Sequence, residues 1–177
     1  STSVGQAATP VEAGSGKTTT ITARIAYLVE EYGIDPKEIL LVTFSRAASQ
    51  EMIHRVHKLI GQVQMYAGTF HSICALLLKE KAPQMMVDQP FIDELPYRLV
   101  KWLQTDQAKK WIKRFRTIIV DEFQNMSAHE LDSIITRVGE NSKIMFLGDA
   151  SQSDLLRQNE RNGIVDFMNV LRLMPSF

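Results

Sequence analysis

Cysteine is nearly missing from this chain: Cys74 is the only one in 177 residues. No internal disulfide can form, and no Cys/His cluster has the spacing of a zinc site. The expectation is a reducing, cytoplasmic compartment, with Cys74 a small core residue in the apolar stretch Ser72 to Leu78. Long apolar runs are also missing. None approaches the roughly 20 residues that a membrane-spanning helix needs, and Ser1 to Ala8 lacks the basic-then-apolar order of a signal peptide. Neither membrane insertion nor export is expected. An excess of charge is absent too, because 20 Lys and Arg balance 20 Asp and Glu. Overall electrostatics therefore point to no nucleic-acid partner, and any such partner must be argued from local residues. Internal repeats, low-complexity tracts and linkers are not found.

What is present suits one soluble domain with a proper core, since 45% of the residues are hydrophobic and 23% charged. Pro10 to Ala13 fits a short strand leading into a glycine turn. From Thr18 to Tyr32, Ile21, Ile25, Leu28 and Val29 recur at helical spacing, and Gly33 stops the helix. Ile39 to Phe44 is apolar on both faces, as a buried parallel strand should be. A second helix is expected from Arg46 to Ile60, with Ala47, Met52, Val56 and Leu59 inward and Gly61 closing it. Val63 to Tyr66 fits a short strand, and Thr69-Phe70-His71-Ser72 leads into an apolar helix ending near Lys81. Residues 82–114 form a mostly helical insertion packed on the sheet, with helices near Tyr97 to Leu103 and Asp106 to Arg114. Thr117 to Val120 and Lys143 to Leu147 are two more buried strands, ending in Asp121-Glu122 and Gly148-Asp149. Between them Ser127 to Val138 fits a helix with Glu130 at the capping-box position. Acidic residues delivered by buried strands lie at the carboxyl edge of the sheet, where open α/β folds bind ligands.

Two motifs carry chemistry. In Gly14-Ser15-Gly16-Lys17-Thr18 the glycines let backbone amides approach phosphate oxygens. Lys17 neutralises the outer phosphates, the Thr18 hydroxyl ligates magnesium, and the following helix adds its positive end. Taken alone, the same residues also fit a glycine turn beside a surface lysine. Asp121-Glu122 complements them, because nucleotide hydrolysis needs one carboxylate near the metal and a second to activate water. Asp121 is assigned to the magnesium and Glu122 to the water. Taken alone, that pair also fits solvated loop carboxylates.

The strings Val11-Glu12-Ala13-Gly14-Ser15-Gly16-Lys17-Thr18, Leu41-Val42-Thr43-Phe44-Ser45, Gly68-Thr69-Phe70-His71-Ser72, Ile119-Val120-Asp121-Glu122-Phe123-Gln124 and Gly148-Asp149-Ala150-Ser151-Gln152-Ser153 stand in this order. Together they resemble the UvrD/Rep group of superfamily 1 DNA helicases. The resemblance implies an α/β fold, the first RecA-like P-loop NTPase domain, with a parallel sheet flanked by helices. It implies ATP and Mg2+ as cofactors and single-stranded DNA as partner. By the same resemblance Gly14 to Thr19 hold the nucleotide and Lys17 is catalytic together with Glu122. Gln152 senses the terminal phosphate, while Gln124 and Asp149 couple hydrolysis to the strand-binding surface. Thr43, Phe44, Arg46, Thr69, Phe70 and His71 are implied to lie on the face that touches DNA. That fits aromatic stacking and hydroxyl-to-phosphate contacts. As residues alone, Phe44 and Phe70 fit core aromatics equally well, and His54, His57 and His71 fit surface histidines.

Several features depart from the family's pattern. The glutamine that reads adenine has only Gln6 as a candidate, closer to Lys17 than the pattern places it. The phosphate loop is about two residues short, which removes backbone amides and reach. Either the loop binds phosphate poorly, as a catalytically weakened binding module would, or the chain omits residues of the natural polypeptide. After Gln152 the string Asp154-Leu155 and the stretch Asn162 to Phe167 are more similar to PhoH-like ATPases, the alternative being a non-motor ATPase or RNA-processing factor. A single RecA-like domain over residues 1–177 leaves the second such lobe, with its arginine finger, to another part of the protein or to a partner. A lone first domain is expected to hydrolyse ATP slowly.

Overall fold

The structure, a computed structural model, describes residues 16–122, 125–126, 130 and 142–148. The expected strand at Pro10 to Ala13, the helix from Ser127 to Val138 and the tail beyond Gly148 lie outside the described residues.

Helix α1 spans Gly16–Glu30, and Gly33, with φ +62°, turns the chain after it. Asp35 accepts a hydrogen bond from the Lys37 amide and opens a short 3-10 turn that delivers strand β1, Ile39–Thr43. Helix α2, Arg46–Ile60, is capped by the Ser45 hydroxyl, which accepts from the Ala48 amide, and is closed by Gly61 at φ +81°. Strand β2 is Tyr66–Thr69, helix α3 Phe70–Lys81, helix α4 Leu95–Leu103 and helix α5 Asp106–Ile112. Strands β3, Thr117–Asp121, and β4, Lys143–Leu147, complete the described elements.

The four strands form one parallel sheet in the order β2-β1-β3-β4. Strand periodicity divides the core into two layers. Leu40 and Val42 of β1, with Ile118 and Val120 of β3, face α3, α4 and α5. Ile39, Leu41 and Ile119 point the other way, onto Ile21, Ile25 and Leu28 of α1 and Met52 and Val56 of α2. Both faces being covered, β1 and β3 are buried at every position, which is why their sequences are apolar without alternation. The architecture is a three-layer α/β/α sandwich of RecA-like type. The segment 82–114 packs on it as expected, through Leu95, Leu99, Trp102, Leu103 and Ala108. Tyr66, Trp111 and Phe115 lock its end to the sheet by edge-to-face contacts at 5.3–6.0 Å.

Two expectations need correction. Strand β2 begins at Tyr66, not Val63, and includes Gly68 and Thr69, because its extent is set by pairing with β1 from Leu40↔Tyr66 to Thr43↔Thr69. Val63 and Met65 spend their apolar character against the α1/α2 layer before the strand starts. On α2, Ala47 and Leu59 are exposed, Leu59 by 56%. The inward stripe instead follows Ser49, Met52, Val56 and Ile60, at helical spacings of three and four.

Candidate functional site

Four strand ends converge on one edge of the sheet. Thr43 of β1 is the register partner of Thr69 on β2, and Val42 that of Val120 on β3, so Asp121 emerges beside Thr43. Asp121 is paired with Leu147 at the end of β4, which brings Gly148 to the same edge. The amino end of α1 also comes here, since the charge of Lys17 acts on Asp121.

Asp121 is 5% exposed. Burial raises its carboxyl above the ordinary carboxylate value, and the neighbouring Glu122 charge adds to the rise. A hydrogen bond from the Glu122 backbone amide and the Lys17 ammonium pull the other way without cancelling it. Glu122 is half-buried and adopts φ +52°, a left-handed conformation that costs a non-glycine residue of order 1 kcal/mol. Its carbonyl accepts from the Asn125 amide at 2.9 Å, which fixes the turn after the strand. The first turn of the 15-residue α1 carries no acidic side chain, so nothing on that turn offsets its positive end. Lys17 and Thr18 are half-buried in that turn and Thr19 is exposed.

A buried carboxylate in this setting is stabilised by a cation. Among the described residues no group of three or more His, Cys, Asp and Glu forms a metal cage. One or two carboxylates plus phosphate oxygens and water is how Mg2+ is held, and a buried carboxylate near the Lys17 charge fits that donor set. Asp121 and the Thr18 hydroxyl are the residues that would hold it.

The expected strand-binding residues divide. Phe44 is 51% exposed, and Arg46 is exposed at the start of α2. Thr69 caps α3, its hydroxyl accepting from the Ser72 amide at 3.3 Å and donating to the Ser72 hydroxyl at 3.0 Å. His71, on the first turn of α3, keeps 35% of its side chain exposed. Thr43 and Phe70 are buried. Thr43 is 3% exposed and donates its hydroxyl to the Ser45 carbonyl at 2.9 Å. Phe70 is 9% exposed and packs in the core beside Ile73 and Leu77. Gln6, Gly14, Ser15, Gln124, Asp149 and Gln152 lie outside the described residues.

Glu130, which the sequence marks only as a capping-box position, lies beside His71. Its Oε1 stands 3.9 Å from Nδ1 of His71. Fifty-nine positions separate them and no local pattern links them; only the tertiary fold makes them neighbours. Cys74 is fully buried, its thiol pushed up to about 12 chiefly by burial, which makes it an inert core residue.

A parallel α/β sandwich with a lysine-bearing helix start and a buried acidic strand end at one sheet edge is the architecture of a nucleotide-binding domain of the RecA-like class. Residues 11–94 and 91–153 match the UvrD/REP helicase N-terminal domain. The chain belongs to that family. Over 81 residues it is 41% identical to the ATP-dependent DNA helicase PcrA of Staphylococcus aureus and equally to that of Staphylococcus epidermidis. The aligned part is 45% of this chain and 11% of each relative, so the chain spans a small share of those proteins. Among the described residues no helix is long and apolar enough to cross a membrane.

Proposed function

We propose that this chain is the ATP-binding lobe of a DNA helicase or translocase, which binds and hydrolyses Mg-ATP at one part of the sheet edge and grips single-stranded DNA at the next. The observation that carries the proposal is the shared edge. Asp121 and Thr43 end adjacent strands, so a change around the phosphates reaches the chain that bears Phe44 and Arg46 within one strand spacing. Lys17 and the start of α1 take the phosphates together with Gly14, Ser15 and Thr19, and Gln6 is assigned to the base. Thr18 and Asp121 hold magnesium, Glu122 orients and deprotonates water, and Gln152 contacts the terminal phosphate. Gln124 and Asp149 couple this centre to the strand. Phe44 offers a ring for base stacking, while Arg46, Thr69 and His71 contact the backbone. The printed names of the relatives, ATP-dependent and acting on DNA, support the same assignment. A second RecA-like lobe supplies the remaining clamp on the transferred phosphoryl group. The single buried cysteine agrees with a reducing, cytoplasmic setting.

The test is affinity for a fluorescent single-stranded oligonucleotide with and without Mg-ATP, beside binding of a fluorescent ATP analogue. Binding of both, with the oligonucleotide affinity changing when nucleotide is added, is the expected result. A folded chain that binds neither refutes the proposal. Lys17→Ala is expected to weaken the analogue by at least about tenfold, the scale of one charge-assisted contact; unchanged affinity would make the loop merely structural.

A further inference from the structure

The side chain of His71 is presented by its neighbours in one orientation. Phe70 meets the imidazole edge-to-face at 5.8 Å and 85°. The Glu130 carboxylate faces Nδ1 at 3.9 Å, beyond direct hydrogen-bond range but within that of an ion pair or one bridging water. Glu130 is also near enough to Cys74, one helical turn further along the same face of α3, for its charge to raise the thiol. Its side chain is 21% exposed against 35% for His71.

We infer that Glu130 is a positioning residue for His71: its carboxylate holds the proton of the neutral imidazole on Nδ1 and leaves Nε2 directed at the nucleic-acid strand. The two ring nitrogens of histidine are chemically distinct, and the partner of one decides what the other can do. The carboxylate charge 3.9 Å from Nδ1 favours the tautomer that turns an N–H toward it over the one that turns a lone pair. Nε2 is then an acceptor, suited to a 2-position amine or ring N–H of a base, or through a water to a phosphate. On protonation both nitrogens become donors, and Nε2–H meets a phosphate directly. Glu130 stands eight residues after Glu122, beyond the turn that leaves the nucleotide centre. This assignment rests on the proposed contact between His71 and the strand.

The first measurement needs no DNA. Two-bond nitrogen–proton correlation spectra of the full chain, in mildly alkaline buffer, report which ring nitrogen of His71 carries hydrogen. Nδ1–H is expected to dominate in the wild type and to give way to the ordinary Nε2–H tautomer in Glu130→Ala. Glu130→Gln, whose amide oxygen still accepts, is expected to retain most of it. A wild-type ring already in the Nε2–H form, or a distribution unmoved in Glu130→Ala, overturns the inference. The second measurement is oligonucleotide affinity, expected to fall about three- to tenfold in Glu130→Ala, as for one lost hydrogen-bonded orientation, and to be largely restored in Glu130→Gln. Equal loss in both variants also overturns it. A wild type that binds no oligonucleotide refutes the proposed function instead, and the ring-nitrogen result stands apart from it.

Discussion

Asp121 is the residue whose chemistry is most directly set by its surroundings. Its folded carboxyl titrates above its unfolded value, so the folded state keeps the proton to higher pH. That contribution to stability is present in acid and is lost as pH rises from the ordinary carboxylate value through the raised one. Asp121→Asn removes the titration. In metal-free buffer the variant is expected to melt above the wild type at neutral pH, with the two curves converging in acid. A neutral-pH melting temperature below that of the wild type would count against a destabilised carboxylate. With Mg-ATP the order is expected to reverse, because only the wild type gains binding energy from the metal. Glu122 has a different duty. Glu122→Gln is expected to lower ATP turnover by about a hundredfold, the usual scale for loss of a general base, while binding of a fluorescent ATP analogue stays near wild type. Turnover unaffected by the change would remove Glu122 from the chemistry.

At the scale of the element, the junction of β2 and α3 is built around a close approach. A Cβ placed on Gly68 would meet the Ser72 hydroxyl oxygen at 2.5 Å. That hydroxyl is occupied, donating to the Thr69 carbonyl at 2.8 Å while accepting from the Thr69 hydroxyl. Gly68→Ala is therefore expected to cost about 1–2 kcal/mol, through the displaced hydroxyl and its hydrogen bonds. Adding Ser72→Ala should recover part of the loss, since the obstructing atom is gone. Denaturant unfolding of the single and double variants checks this, and purely additive losses would show that the crowding is not responsible. Gly68 opens the string Gly68 to Ser72. Its position here has a local structural cause, the need for β2 to enter α3 without a side chain in the way.

For the whole molecule, the question is whether the helical segment 82–114 folds with the sheet. It carries both tryptophans of the chain, Trp102 and Trp111. Trp102 is 3% exposed against the same core as Leu40, Val42 and Ile118. Tryptophan fluorescence therefore follows this segment while far-ultraviolet circular dichroism follows all the helices. One cooperative unit requires the two unfolding curves to coincide; a fluorescence transition that precedes the dichroism would mark a separately melting insertion. Leu99→Ala, at 8% exposure in the same layer, is expected to destabilise the whole by about 2–4 kcal/mol, by both probes alike. The surface of this segment is tied by Arg98, which pairs bidentately with Asp88 at 2.6 and 2.7 Å and with Glu94 at 2.9 Å. These pairs are exposed and add little to stability.

Much of this was legible in the chain itself. The buried strands at Ile39 and Thr117, the helices from Arg46 and from Phe70, and the acidic strand end Asp121-Glu122 follow from local composition, because an apolar run without alternation, a Ser cap or a closing glycine acts within a few residues. Which face a helix turns inward, where β2 starts and what surrounds Phe70 are decided by partners distant in sequence. Leu59 is exposed and Ser49 buried because the packing of α2 on α1 sets the rotation of the stripe, and neighbouring positions of equal hydrophobicity leave that choice open. Phe70 enters the core and Phe44 remains outside, although each is the aromatic in a similar polar string. One begins a helix lying on the sheet; the other follows the last residue of a strand. The approach of Glu130 to His71 belongs to the tertiary structure alone, since 59 positions of chain separate the two residues and only folding brings them within 3.9 Å.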